Sequence, residues 1–222
     1  MVDLSLIKPT NLWYVVGFIT ADGNLSSDRR HINFTSKDKE LLFQLKRSLK
    51  LNNKIGCKYN FKKDISYQIQ FGSVQFYRFL MGVGLTPAKS LSLGRLEIPG
   101  RYFFDFLRGV IDGDGNISQW VHKTNHTEQW SLRIVSGAKK FILWLKEEIE
   151  RKSKVRGKFY GYKNNNRKNF IYQIKFGKLA AKIILQKCYY KDCLALNRKF
   201  KKATICLQSK NGLSKYGGVI EY

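Results

Sequence analysis

Three blocks of this sequence occur twice, in the same order. Val15-Val16-Gly17-Phe18-Ile19-Thr20-Ala21-Asp22-Gly23 is matched by Leu107-Arg108-Gly109-Val110-Ile111-Asp112-Gly113-Asp114-Gly115. Downstream, Ser36 ahead of Leu41, Leu42 and Leu45 parallels Ser136 ahead of Phe141, Ile142 and Leu145. Tyr67-Gln68-Ile69-Gln70-Phe71-Gly72 then parallels Tyr172-Gln173-Ile174-Lys175-Phe176-Gly177. One such match could be chance; three in the same order, at nearly constant separation, mark a duplicated structural unit. The spacing drifts only after the first block, which places an insertion within 116–130, read as a longer hairpin.

Each unit has the same grammar. Leu12, Val15, Val16 and Ile19, like Phe103, Phe106, Leu107 and Val110, recur at three-to-four spacing and predict a helix. Pro9 stands where a first-turn proline is tolerated. Strand-rich stretches follow near 24–36 and 116–136, then a second amphipathic helix near 38–50 and 138–152. A second hairpin covers roughly 55–72 and 154–177, with Tyr, Phe and Ile alternating with Lys and Gln. A third helix near 73–82 and 178–187 closes each unit. The expectation is an α+β fold of two pseudo-symmetric α-β-β-α-β-β-α repeats. Each would be an antiparallel, saddle-like sheet with helices on one face and the other face left for a ligand. The repeats are placed at 1–90 and 103–205. A linker at 91–102, marked by Gly94, Pro99 and Gly100, joins them, and a tail runs over 206–222.

The two first helices share a second pattern. A small residue follows a glycine by four positions, Gly17 then Ala21 and Gly109 then Gly113. That spacing lets two helix backbones approach closely, so the two helices are expected to pack side by side as the interface between repeats. Each then ends on Asp-Gly, with Gly23 and Gly115 suited to a left-handed cap. The acids before them face the negative end of the helix dipole, at a cost of some tenths of a kcal/mol. Bringing two such acids together adds repulsion. A divalent cation relieves both, with carboxylates and helix-end carbonyls as oxygen ligands.

An isolated Asp-Gly after a helix is usually just a turn; its recurrence at the same point of two repeats argues against that. Asp112, Asp114 and Asn116 resemble the start of an EF-hand loop, but the sixth position is Ile117 and the twelfth Lys123, which excludes it. No Gly-rich phosphate loop ending in Lys-Ser/Thr is present. The 4 Cys, at 57, 188, 193 and 206, form no Cys-x-x-Cys pair, so a zinc site is not expected and free thiols are.

With 41 Lys+Arg against 16 Asp+Glu, the net charge of +25 costs stability by self-repulsion and calls for a polyanionic partner. The basic residues are spread along the chain rather than gathered in one amphipathic helix, which favours nucleic acid over a membrane. The N-terminus has no basic segment followed by an apolar one, and no apolar run approaches the roughly 18 residues of a span. A soluble, intracellular protein is expected.

The two nine-residue motifs resemble the LAGLIDADG signature, and the doubled unit resembles the monomeric members of the LAGLIDADG homing endonuclease family over almost the whole chain. The resemblance implies that Asp22 and Asp114 are the catalytic carboxylates, with Ala21 and Gly113 offering backbone carbonyls to metal. It implies two or more magnesium ions, with manganese able to substitute and calcium binding without cutting. Thr20 departs from the acid common at the sixth motif position, where the second repeat keeps Asp112. A basic residue near each site is implied too: Lys89 in the first repeat, Lys199 in the second, with Arg198 as its alternative. The implied function is a staggered double-strand break in a long asymmetric duplex, serving the mobility of an intron or intein. The implied partner is double-stranded DNA bound by a monomer. Alternatives on the same scaffold are an RNA maturase acting on its intron and a non-cutting DNA-binding regulator.

Recognition is assigned to the sheet faces, since a β-ribbon fits the major groove. The basic candidates are Arg29, Arg30, His31, Lys58, Lys62, Lys63, His122, Lys123, Arg133, Lys154, Arg156, Lys158, Lys163, Arg167 and Lys168.

Overall fold

The computed structural model of the chain describes residues 2–59, 64–163 and 169–210. The first repeat runs α1 (Pro9–Asp22), β1 (Gly23–Leu25), β2 (His31–Ser36), α2 (Lys39–Ser48), β3 (Gly56–Tyr59), β4 (Ile65–Gly72) and α3 (Val74–Val83). A short helix α4 (Lys89–Ser92) follows. The second runs α5 (Phe103–Asp114), β5 (Gly115–Val121), β6 (Glu128–Ser136), α6 (Lys139–Ser153), β7 (Lys158–Lys163), β8 (Phe170–Gly177) and α7 (Lys178–Cys188), then α8 (Asn197–Gln208). Each repeat builds one four-stranded antiparallel sheet, ordered β1-β2-β4-β3 and β5-β6-β8-β7. The α-β-β-α-β-β-α unit thus occurs twice, and the inserted residues lengthen β5 and β6 relative to β1 and β2.

Strand alternation decides which face is covered. In β2 and β4, Ile32, Phe34, Ile69 and Phe71 are buried, and in β6 and β8 Leu132, Ile134, Ile174 and Phe176 are. Leu41, Leu42 and Leu45 of α2, and Phe141, Ile142, Leu145 and Ile149 of α6, complete the same core. Each such large side chain contributes about 1.5–3 kcal/mol by leaving water.

Helices α1 and α5 lie at the centre. Residues Leu12 to Thr20 of α1 are buried all round, as befits a helix covered by its own sheet on one side and by α5 on the other. The contact is backbone to backbone. A Cβ on Gly17 would stand 2.9 Å from the Phe106 carbonyl carbon, and one on Gly109 would stand 2.6 Å from the Phe18 nitrogen. A Cβ on Gly113 would collide with that of Ala21. Only glycine permits so close a crossing.

The left-handed cap expected at Gly23 and Gly115 is not what the chain adopts. Both are extended, at φ −83°, ψ 157° and φ −81°, ψ 158°, because the helix passes straight into a strand. Glycine is needed there for space: a Cβ would come within 2.6 Å of Ile19 Cα or of the Ile111 carbonyl oxygen.

Two helices were not foreseen. Helix α4 lies against the other repeat, since a Cβ on Gly137 would meet the Ser90 carbonyl at 2.9 Å. Helix α8 buries Lys199, Ala203 and Cys206 and extends past 205. The second repeat also holds a buried polar network with no counterpart among the described residues of the first. Arg108, fully buried, pairs with Asp105 at 3.0 Å and donates to the Leu194 and Cys188 carbonyls at 2.9 and 2.8 Å. At the matching place the first repeat has Val16.

Candidate metal centre and nucleic-acid interface

Because α1 and α5 cross at glycines, their C-termini emerge side by side. The position a Gly113 Cβ would take lies 3.4 Å from Asp22 Oδ2, so the Asp22 carboxylate sits against the end of the helix that carries Asp114. The protein packed around the paired ends raises both acids. For Asp114, burial and then the neighbouring Asp22 charge push its acid up to about 6. For Asp22, burial raises it while Lys199, Lys89 and Arg198 pull the other way. Burial thus outweighs the nearby cations at both carboxylates.

Lys89 and Lys199 are both buried and reach the helix ends. The Lys89 ammonium donates to the Gly23 carbonyl. That of Lys199 donates to the carbonyls of Ile111, Asp112 and Gly113 at 2.5, 2.7 and 3.2 Å. Burial lowers the proton affinity of both, bringing Lys199 down to about 8. The lysines also cross between repeats. Lys89 lines a cleft with Asp114, Val135, Ser136 and Gly137 of the second repeat, and Asp114 is the strongest charge acting on it. Arg198, exposed, lines the cleft of Asp22, Thr35 and Ser66 and touches Asp38 at 3.3 Å.

Asp112 is buried and used structurally. It accepts from the Tyr14 and Tyr189 hydroxyls at 2.8 and 2.7 Å and from the Leu196 N–H at 2.7 Å. Thr20, which replaces that acid in the first repeat, donates to the Val16 carbonyl of its own helix at 2.8 Å.

The faces turned away from the helices are polar. By cross-strand register, Asn24, His31, Asn33, Thr35, Lys58, Ser66, Gln68 and Gln70 share the open face of the first sheet. Asn116, Ser118, Trp120, Gln129, Arg133, Lys158, Tyr160, Gln173 and Lys175 share that of the second.

Of the basic candidates, Lys58, Arg133 and Lys158 lie on these open faces, and His31 does so paired to Asp28 at 2.5 Å. Arg29, at φ 57°, and Arg30 form the β1–β2 turn, and His122 and Lys123 the β5–β6 turn. Arg156 precedes β7. Lys163 is opposite Phe170, in register with the helix-side face rather than the open one. Lys154 is no hairpin residue; at φ 55° it caps α6. Lys62, Lys63, Arg167 and Lys168 lie outside the described residues. The amides of these faces recur as every second residue in the Gln-x-Gln of β4 and the Gln-x-Lys of β8, the alternation with Tyr, Phe and Ile that marks the second hairpins.

Among the described residues no group of three or more His, Cys, Asp or Glu is placed to hold a metal ion, and no helix is long and apolar enough to cross a membrane. The donors at the paired helix ends are two carboxylates and backbone carbonyls. Such hard oxygens suit magnesium or calcium better than a thiophilic metal.

Residues 9–84 match the model of the LAGLIDADG-like domain. No curated protein matches the chain in sequence. Among solved structures, the homing endonuclease I-WcaI bound to its DNA recognition sequence is similar at TM-score 0.60 and 13% identity, over 89% of this chain and 87% of that one. The LAGLIDADG homing endonuclease I-GzeII in complex with its DNA target is similar at 0.58 and 13%, over 90% of each chain. Full-length DUF199/WhiA from Thermatoga maritima is similar at 0.54 and 15%, over 88% of this chain; the chain spans 60% of that protein's length. Residues 9–84 are therefore a LAGLIDADG-like domain, and the chain as a whole has the two-repeat LAGLIDADG fold found in homing endonucleases.

Proposed function

We propose that this protein is a metal-dependent, site-specific DNA endonuclease that cuts both strands of a long, asymmetric duplex with a short stagger. One observation carries the reading. Two carboxylates from different repeats, Asp22 and Asp114, are brought to adjoining helix ends between two open polar sheet faces, in a chain of net charge +25. Asp22 and Asp114 would hold divalent metal, with the Ala21 carbonyl as a further donor. When bound, magnesium would supply an activated water and charge neutralisation at the scissile phosphate. Lys89 and Lys199, each beside the paired acids, would offset phosphate charge and hold or deliver a proton at the leaving oxygen. The sheet faces would bind the major groove on either side, placing the acids over the minor groove between. The biological setting proposed is mobility of an intron or intein, acting as a monomer.

A second reading, a non-cutting DNA-binding protein on the same scaffold, draws on Lys199. Its ammonium already occupies the Gly113 carbonyl, the oxygen a metal would take in the second repeat. Cleavage of a large randomised duplex library in magnesium, with the cut ends sequenced, separates the two. One enriched asymmetric site with staggered ends supports the endonuclease. Enrichment by binding without cut ends supports the second reading, and preference for structured RNA over any duplex favours a maturase.

A further inference from the structure

The two open faces differ in chemistry at matched positions. In the first sheet Asn24 is opposite Asn33, and Asn33 is opposite Gln70, a row of amides across three strands. In the second, Asn116 is opposite Arg133, Arg133 opposite Lys175, and Lys175 opposite Lys158. The repeats align Asn33 with Arg133 and Gln70 with Lys175, while Asn24 with Asn116 and Gln68 with Gln173 are unchanged. Two amides of one repeat, Asn33 and Gln70, are thus cations in the other, and Lys158 on the next strand extends that row to three.

Like charges directly opposite on a sheet repel, so such a row is unfavourable without a ligand. Among the described residues none of the three forms an ion pair with a carboxylate. Arg133 is nonetheless held in place. Its guanidinium donates to Ser118 Oγ at 2.8 Å, and Ser118 donates to Asn116 Oδ1 at 2.8 Å, while Arg133 Nε is buried without a partner. Lys175 lies over the Trp120 ring at 5.5 Å.

We infer that the two repeats read different bases at pseudo-symmetric places: Asn33 and Gln70 adenine, Arg133 and Lys175 guanine. The major-groove edge of adenine offers an acceptor beside a donor, which an amide matches in both directions. That of guanine offers two acceptors, which a guanidinium or ammonium satisfies and an amide satisfies only half. This rests on the proposed reading only in taking duplex DNA as the ligand, and it does not require cutting.

The test is selection by binding from a randomised duplex library, in chelator so that no metal chemistry intervenes. The wild-type chain is compared with R133N/K175Q and, reciprocally, N33R/Q70K. The wild type is expected to enrich adenine in one half-site and guanine at the mirror-related places of the other. R133N/K175Q should move those guanines towards adenine, by roughly 10-fold in preference, and leave the first half-site unaltered. N33R/Q70K should do the reverse, so that one poorly folded variant does not decide the matter. An enriched site that neither exchange alters overturns the base assignment and leaves the endonuclease reading standing. Salt-sensitive binding with no enriched site overturns both.

Discussion

The Tyr14 hydroxyl of α1 donates to Asp112 Oδ2 of α5 at 2.8 Å, a hydrogen bond made wholly inside the interface between the repeats. Tyr189 and the Leu196 N–H supply the other two donors to the same carboxylate, so Asp112 joins both motif helices to the segment that leads into α8 and Lys199. Asp112→Asn turns an acceptor of three bonds into a group that must donate where donors already point. The expected cost is about 2–4 kcal/mol of stability, read as a lowered midpoint in urea. Tyr14→Phe, which removes one donor of three, should cost about 1 kcal/mol. An Asp112→Asn variant as stable as the wild type would contradict the buried anchor.

The glycine crossing leaves no room for a side chain on either helix. Gly17→Val or Gly109→Val forces a Cβ against the backbone of the other helix, where no side chain can rotate away. Each is expected to lose about 3 kcal/mol or more. Gly82→Ala is the control: a Cβ there meets nothing within 4 Å, so a helix-interior alanine should be neutral or stabilising. Thermal melts of the three variants decide it.

The repeat, the element order and the open sheet face were legible in the sequence because they rest on periodicity, which one chain displays directly. So was the pairing of Gly17 with Gly109. The cap at Gly23 and Gly115 was misread because helix-ending glycines satisfy two demands, left-handed torsion or space, and only the following strand tells them apart. Helix α8 had a signal in Phe200, Ala203 and Leu207 at three-to-four spacing, but a lysine-rich segment masks it. That Lys89 lines a cleft with Asp114 could not be read at all. It depends on how α4 packs across the repeat boundary, a contact between residues distant in the chain.

Metal and protons should compete at the paired acids. The acid of Asp114 stands at about 6, above its ordinary value of 3.8, so the folded state holds the proton more tightly than the unfolded one. Its contribution to stability is therefore present below about pH 4 and lost as pH rises through 6. In chelator, Asp114→Asn should be more stable than the wild type at pH 7.5, by about 1–2 kcal/mol, and the gap should narrow as pH falls and close only below about pH 4. Millimolar calcium should raise the wild-type melting temperature at pH 7.5, less at pH 5, and leave Asp22→Asn/Asp114→Asn unmoved. A calcium shift that persists in the double variant would place the metal elsewhere.

Binding to duplex DNA should weaken steeply with salt, since each neutralised phosphate contributes roughly −0.9 to the slope of log affinity against log salt. Arg133→Asn/Lys175→Gln should flatten that slope little if both read bases, whereas loss of two phosphate contacts would change it by about 2. A nearly flat wild-type slope would contradict DNA as the partner.

The most direct measurement is cleavage of the selected duplex in magnesium by the wild type, Asp22→Asn, Asp114→Asn and the double variant, with binding measured in parallel. Staggered double-strand cutting by the wild type is expected. Each single variant should lose it, and all three variants should still bind. A double variant that still cuts the duplex would show that the paired helix-end carboxylates are not the catalytic centre.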